Sequence, residues 1–349
     1  MTGCIEGQYT MDDAVSMLAP IVSARPSRQI PAAEDGLSPL RDLSAEIKVS
    51  DRIPVTGGGF CDIWLGERLG KEMVALKVLK TYGVPNQIRK RFLKEAELWS
   101  GLDHPNILKF YGICELGTST AMVSPWLKNS NVIHYMATIN PHANRLKLLE
   151  GAAEGLLHLH TYSPPIVHGD LKCANILVND DGSACLADFG LSKAHEEVTS
   201  LSLRDAGSQR YMAPELFEGP EDDNIPLKSL ASDIYAFGQV MLELLSGQRP
   251  FYELRHESMI YLAIARGDRP ARPDNEISKI WLTDPVWNFI QELTNVRKER
   301  RPSALEVLQA IQAVQVCMLR KCSTLIPWIS SRLNNRESKE EGQREGQRE

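Results

Sequence analysis

The sequence predicts an α+β fold in two lobes: a small sheet lobe carrying one helix, then a larger, mainly helical lobe. Two patterns predict it. From about Ile47 to Ser124, short apolar runs alternate with glycine-rich turns, and a single helical segment interrupts them. From Asn144 onward, apolar residues recur at helical spacing, and Asp233–Ser246 is almost wholly apolar, as a helix buried on all sides must be.

Residues 1 to about 45 hold Pro26, Pro31 and Pro39 with few aromatics and predict a loosely structured extension. Within it Ala14–Ala24 is apolar and short and contains Pro20; it reads as a loose surface segment, with an amphipathic docking helix as the alternative. Strands are expected at Ile53–Val55, Ile63–Leu65, Met73–Val78, Ile107–Tyr111 and Ala121–Val123. Gln87–Trp99 is the helix among them, with Phe92, Ala96 and Trp99 on one face. The small lobe should span about 46–124, the hinge about 125–129 and the helical lobe about 130–320, with ligand expected in the cleft between lobes. Leu146, Leu149, Ala153, Leu156, Leu157 and His160 mark a helix before the next loop. Residues 321–349 form a tail, expected to be disordered from about Asn334, where a charged Glu-Gly-Gln-Arg unit repeats.

The bulk composition excludes several classes of function. Among 349 residues, 39 Lys+Arg face 45 Asp+Glu, and a net charge of −6 gives no reason to expect nucleic-acid binding. With 43% apolar residues the chain can bury a substantial core. Seven cysteines (4, 61, 114, 173, 185, 317 and 322) are scattered and form no CxxC pair, which supports neither a disulfide framework nor a zinc site. Reduced thiols in the cytoplasm, or the nucleus, are the expectation. No apolar run is long enough to cross a bilayer, and Asp12 and Asp13 contradict the basic start of a secretory signal.

The chemistry concentrates in His168-Gly169-Asp170-Leu171-Lys172-Cys173-Ala174-Asn175, followed by Asp188-Phe189-Gly190. Asp170 is a carboxylate able to take a hydroxyl proton, and Lys172 is a cation two residues on. Asn175 and Asp188 are oxygen donors suited to Mg²⁺. Lys77 ends the apolar run Val74-Ala75-Leu76-Lys77, where a lysine is costly unless a counter-charge meets it.

Taken together in this order, residues from about 48 to 318 resemble a eukaryotic protein kinase catalytic domain, and within it the tyrosine-kinase-like group of Ser/Thr kinases. The resemblance implies a bilobal fold with an antiparallel N-terminal sheet, and transfer of the ATP γ-phosphate to Ser/Thr hydroxyls of protein substrates with Mg²⁺. It makes Asp170 the catalytic-loop aspartate, Lys172 the cation that neutralises the migrating phosphate, and Asn175 and Asp188 the metal ligands. Glu95 becomes the partner of Lys77, which would reach the α- and β-phosphates; the alternative is a lysine on a solvated strand face. Ile63 and Ala75 above, and Leu177 below, would contact the adenine, although these three suit a core equally well, and Val55 would join the ATP-binding residues. Ser124 falls at the gatekeeper position before the hinge. Glu215, in Ala213-Pro214-Glu215, would pair with Arg301, and Asp233 would tie the buried helix to the catalytic-loop backbone.

The glycine-rich loop is the imperfect motif. Thr56-Gly57-Gly58-Gly59-Phe60-Cys61-Asp62-Ile63 resembles the family's loop if Phe60 and Ile63 set the register. Thr56 and Cys61 then replace two glycines, and Gly58 keeps the one where backbone must approach phosphate. A register on Gly57 and Gly59, or a plain turn between strands, are the alternatives. Cys61 reads as a small substitute for glycine, or as a redox-sensitive thiol. Gly169 stands where the family has an arginine that binds activation-loop phosphate, so phosphorylation of Thr199, Ser200 or Ser202 is not expected to control activity. The acidic stretch Glu218–Asn224 reads as a solvated loop, or as a surface favouring basic substrates. Lys172 and Ser208 favour Ser/Thr over Tyr, while Arg210-Tyr211-Met212 keeps dual specificity open. A pseudokinase scaffold is the competing class, supported by the altered loop and the absent arginine; a small-molecule kinase is disfavoured by Ala213-Pro214-Glu215. The sequence does not reveal an oligomeric state.

Overall fold

The computed structural model describes residues 40–50, 53–57, 61–80, 86–189, 208–217 and 228–320. Gly58, Gly59, Phe60, Thr199, Ser200, Ser202, the acidic stretch 218–224 and the expected disordered tail lie outside the described residues. The chain divides into two units between Leu127 and Lys128.

The first unit is an antiparallel sheet with one helix. Its strands are β1 (Ile47–Val49), β2 (Thr56–Gly57), β3 (Cys61–Arg68), β4 (Glu72–Leu79), β5 (Gly112–Leu116) and β6 (Ser119–Pro125). Their spatial order is β1-β3-β4-β6-β5, with β2 paired to β3. Side chains alternate faces along a strand, and β4 shows it: Val74, Leu76 and Val78 are buried while Ala75 and Lys77 are partly exposed. The buried set packs with Leu43, Cys114, Ala121 and Val123 to form the core of the unit. Helix α1 (Asn86–Ser100) buries Phe92, Ala96 and Trp99, the stripe that the spacing predicts.

Three expectations need correction here. Residues 41–45 were expected in the loose extension, but Asp42 bridges Ile113 and the Leu43 amide donates to the Ile113 carbonyl at 2.7 Å. A single buried leucine carries too little periodicity to announce this. Ile107–Tyr111 is not a strand. Ile107 and Leu108 are buried as a loop whose first turn follows His104-Pro105, and the Leu108 carbonyl accepts the Trp99 indole at 2.6 Å. Ile53–Val55 is also irregular, with Ile53 and Val55 exposed. Apolar runs report burial or local propensity, and neither guarantees a ladder of backbone hydrogen bonds.

The second unit is helical apart from a small hairpin, β7 (Ile176–Val178) with β8 (Ala184–Leu186). It contains a short α2 (Val132–His134) running into a π-helical turn, then α3 (Arg145–Thr161), α4 (Leu230–Ser246), α5 (Glu257–Ala265), α6 (Glu276–Trp281), α7 (Asp284–Leu293) and α8 (Ala304–Arg320). Helix α4 is buried from Ser232 to Ser246, as its composition requires, and packs against α3, α6 and α7. It starts on a Ser229/Ser232 capping box and ends at Gly247 in the left-handed conformation. Gly238 admits the end of α7: a Cβ there would sit 2.7 Å from the Thr294 methyl and 2.8 Å from the Leu293 Cβ.

Candidate functional site

The candidate residues form two groups, one in each unit. In the sheet unit, the register sets Ile63 opposite Lys77, Lys77 opposite Met122, and Ala75 opposite both Leu65 and Ser124. Ile63, Ala75, Lys77 and Ser124 therefore share one face of the sheet, the face away from the Leu43 core. The Lys77 ammonium meets the Glu95 carboxylate at 3.0 Å, with both side chains largely buried. Glu95 reaches it because α1 places Glu95 one turn before Trp99, and Trp99 is anchored to the loop beneath. Glu95 thus supplies the counter-charge that a lysine in an apolar strand needs, and removing it would leave the Lys77 charge buried and uncompensated.

Of the glycine-loop segment, Val55, Thr56, Gly57, Cys61, Asp62 and Ile63 are described. Thr56 lies opposite Ile63 and Gly57 opposite Asp62, while the Val55 amide donates to the Ile63 carbonyl at 2.8 Å. A Cβ at Gly57 would approach the Asp62 carboxylate oxygen to 2.6 Å, a contact that a shift of the Asp62 side chain relieves. Cys61 starts β3, half-buried.

In the helical unit, Asp170, Lys172, Asn175 and Ser208 converge. The Asp170 carboxylate lies 3.0 Å from the Lys172 ammonium and 3.0 Å from the Asn175 amide nitrogen. The same Asn175 nitrogen donates to the Asp170 carbonyl at 2.8 Å, and Lys172 also donates to the Ser208 hydroxyl at 2.8 Å. With its nitrogen committed to Asp170, Asn175 keeps its amide oxygen as the donor for a cation. Its carbonyl accepts the Ala187 amide at 2.9 Å, which places the next residue, Asp188, beside it. Asp188 is left-handed (φ 56), a conformation that aspartate tolerates better than most residues and that recurs at functional positions. An amide oxygen and a carboxylate are the donors Mg²⁺ takes when phosphates complete its shell, so the residues fit the cation. Leu177 lies on β7, bridged to Asn131 and opposite Cys185.

The loop is held from below by Asp233 at the start of α4. Its two carboxylate oxygens accept the His168 and Gly169 amides, each at 2.8 Å, and His160 donates to it at 3.0 Å. Gly169 sits at φ 76, a conformation that costs glycine nothing. His168 accepts the Asp170 amide at 3.3 Å and its ring meets Phe189 edge-on at 6.2 Å. Desolvation holds the His168 imidazole below its ordinary pKa, although Asp233, Asp170 and Asp188 all pull it upward. Sequence reasoning assigned no role to His160 or His168. Their only signal, a histidine one residue before the end of α3 and another two residues before Asp170, does not point to a partner 65 to 73 residues away.

Further along, Arg301 forms a fork with Glu215 at 2.6 and 2.7 Å, donates to the Asn295 and Ala231 carbonyls, and covers the Tyr235 ring at 5.1 Å. Arg210 is held by the Pro250 and Phe251 carbonyls and by Glu257, and Tyr211 donates to Glu243. Two of the three residues that looked tyrosine-kinase-like are thus occupied in packing the segment onto its own unit.

A sequence profile described as protein tyrosine and serine/threonine kinase matches residues 52–311, the span that contains both groups. The chain belongs to this family. Its sheet unit and helical unit are the small and large lobes of the protein-kinase fold. The kinase domain is 28% identical over 274 residues to the proline-rich receptor-like protein kinase PERK13 of Arabidopsis thaliana, covering 74% of this chain and 37% of that protein. It is 33% identical over 217 residues to the probable serine/threonine-protein kinase PBL6 of the same plant, covering 58% and 49%. It is 33% identical over 193 residues to the serine/threonine-protein kinase WNK2 of Mus musculus, covering 52% and 8%. The kinase chain therefore spans less than half the length of each of these relatives. Among its described residues no helix is long and apolar enough to cross a membrane.

Proposed function

We propose that this kinase is active, transferring the γ-phosphoryl group of ATP to serine and threonine hydroxyls of protein substrates with Mg²⁺. One observation carries the reading: Asp170 is held between Lys172 and Asn175, and Lys172 also reaches Ser208. That arrangement keeps a carboxylate in position to accept the hydroxyl proton as the oxygen attacks the γ-phosphorus. The bond from that phosphorus to the bridging oxygen breaks, and ADP leaves. Lys172 offsets the charge of the group in transit, and Lys77, braced by Glu95, would hold the α- and β-phosphates. Asn175 and Asp188 would hold the cation, which when bound neutralises charge on the phosphate oxygens.

Gly169 offers no guanidinium, so we further propose that activity does not depend on phosphate at Thr199, Ser200 or Ser202. Replacing all three by alanine should leave transfer to a generic substrate intact. The scattered cysteines favour a cytoplasmic location. A pseudokinase scaffold is the second reading, favoured by Thr56 and Cys61 in the phosphate loop. Mg²⁺-dependent transfer of ³²P from ATP to a generic protein separates the two. Asp170→Asn should lose about 10²–10⁴-fold in turnover, the usual contribution of a positioned base; no transfer by the unmodified chain supports the scaffold.

A further inference from the structure

Residues Arg41–Glu46 precede the span matched by the family profile, yet they are built into the sheet unit. Leu43 is fully buried in its core. The Leu43 amide donates to the Ile113 carbonyl at 2.7 Å, and the Ile113 amide to the Arg41 carbonyl at 2.9 Å, so the segment runs parallel to β5 as a strap. The Ser44 hydroxyl accepts the Glu115 amide at 2.9 Å. Glu46 takes Arg41 at 3.1 Å and Arg68 at 2.8 Å, and Arg68 lies 5.1 Å over the Tyr111 ring.

The segment that leads directly into the stretch gripped by the strap is the seat of α1. Trp99 donates its indole N–H to the Leu108 carbonyl at 2.6 Å and packs on Phe110 with ring centroids 5.1 Å apart. One helical turn earlier, Glu95 meets Lys77. A path thus leads from Leu43 by backbone hydrogen bonds to Ile113, along three residues of chain to Phe110, from its ring to Trp99, and back one helical turn to the ion pair. A helix moves as a near-rigid body, so where its carboxylate lies depends on what its far end rests upon.

We propose that the Arg41–Glu46 strap is a positioning element for phosphoryl transfer: it fixes the Leu108–Ile113 segment, which seats Trp99 and through it holds Glu95 against Lys77. Its consequence for turnover rests on the proposed kinase activity, whereas the coupling itself does not.

The test uses the full chain. Leu43→Ala empties the strap's anchor. Gly112→Ala displaces the strap without altering it, because Gly112 lies at φ +150 and a Cβ there would come 2.3 Å from the Arg41 carbonyl oxygen. Leu43→Met keeps the anchor filled. Amide hydrogen exchange across Asn86–Ser100 is measured well below each variant's melting temperature, together with kcat and KM for ATP. Leu43→Ala and Gly112→Ala should each speed exchange in α1 and lower kcat by about fivefold, a typical size for mutations along a coupled network. KM for ATP should change less than about twofold, as expected when an interaction realised in the transition state is lost, and Leu43→Met should match the unmodified chain. Leu43→Ala combined with Trp99→Phe should be no worse than the poorer single variant, since both act through one contact. Unchanged exchange in α1 with a lowered melting temperature reduces the strap to scaffolding and overturns the proposal, as do additive effects of the two substitutions. If the unmodified chain transfers no phosphate, the kinase reading fails while the exchange data still judge the strap.

Discussion

Asp233→Asn is the perturbation with the clearest energetic consequence. Asp233 is buried, and its two oxygens accept three N–H groups, from His168, Gly169 and His160. Asparagine has nearly the same shape but a single acceptor oxygen. If that oxygen takes the place of Oδ2, it still serves His168 and His160, and the amide NH₂ confronts the Gly169 N–H. One charge-assisted bond, about 1.5–3 kcal/mol, is lost, and two others fall from charged to neutral strength at roughly 1 kcal/mol each. The sum is about 4 kcal/mol, a large share of the ~5–15 kcal/mol that a domain has. Urea unfolding at constant pH measures it, with the denaturant slope checked for constancy. Turnover should fall as well, since His168 and Gly169 lead directly into Asp170. A variant within about 0.5 kcal/mol of the parent, a change ordinary for surface positions, would show that these hydrogen bonds do not hold the loop.

Other consequences can be checked separately. Ser124 is buried opposite Ala75, and its small side chain should admit an ATP-competitive inhibitor carrying a bulky substituent; Ser124→Met should resist that inhibitor, and equal inhibition of both would count against its position. Glu95→Gln removes the charge that meets Lys77 and should lower kcat/KM for ATP by about tenfold or more, corresponding to one charge-assisted contact. His168 is held neutral by burial, so the unfolded chain, protonating near 6.5, binds more protons than the folded one as pH falls below that value. Stability should therefore decline on acidification from about pH 7 until folded His168 itself titrates, by at most about 1.4 kcal/mol per pH unit for one proton. His168→Phe should flatten that decline, and an unchanged profile would assign it to other groups.

The readability of this chain follows from where each signal is stored. β4 and α1 announce themselves because alternation and the Phe92–Ala96–Trp99 spacing are local consequences of backbone geometry. The irregular Ile107–Tyr111 run misleads because Ile107 and Leu108 are buried without forming a continuous ladder, and a buried loop and a buried strand share one composition. The strap at Leu43 escapes notice since one leucine among polar neighbours has no period at all. The site behaves likewise. Asp170, Lys172, Asn175 and Asp188 stand out by type and spacing, and family resemblance assigned Asp233 to the loop backbone, whereas His160 is an ordinary helix residue until the fold brings it to Asp233.

By itself, the order of residues determined the two-lobed α+β plan, the catalytic-loop side chains, and the pairings Lys77–Glu95 and Glu215–Arg301 that family resemblance suggested. Tertiary structure alone decided that Arg41–Glu46 joins the sheet, that Asp233 serves two backbone amides and a histidine at once, and that Arg210 is occupied by Pro250, Phe251 and Glu257. The division has a physical cause. Periodicity and motif spacing are written within one stretch of backbone, whereas desolvation and hydrogen-bond partnership arise between stretches, and no residue's identity states which distant group will share its low-dielectric surroundings.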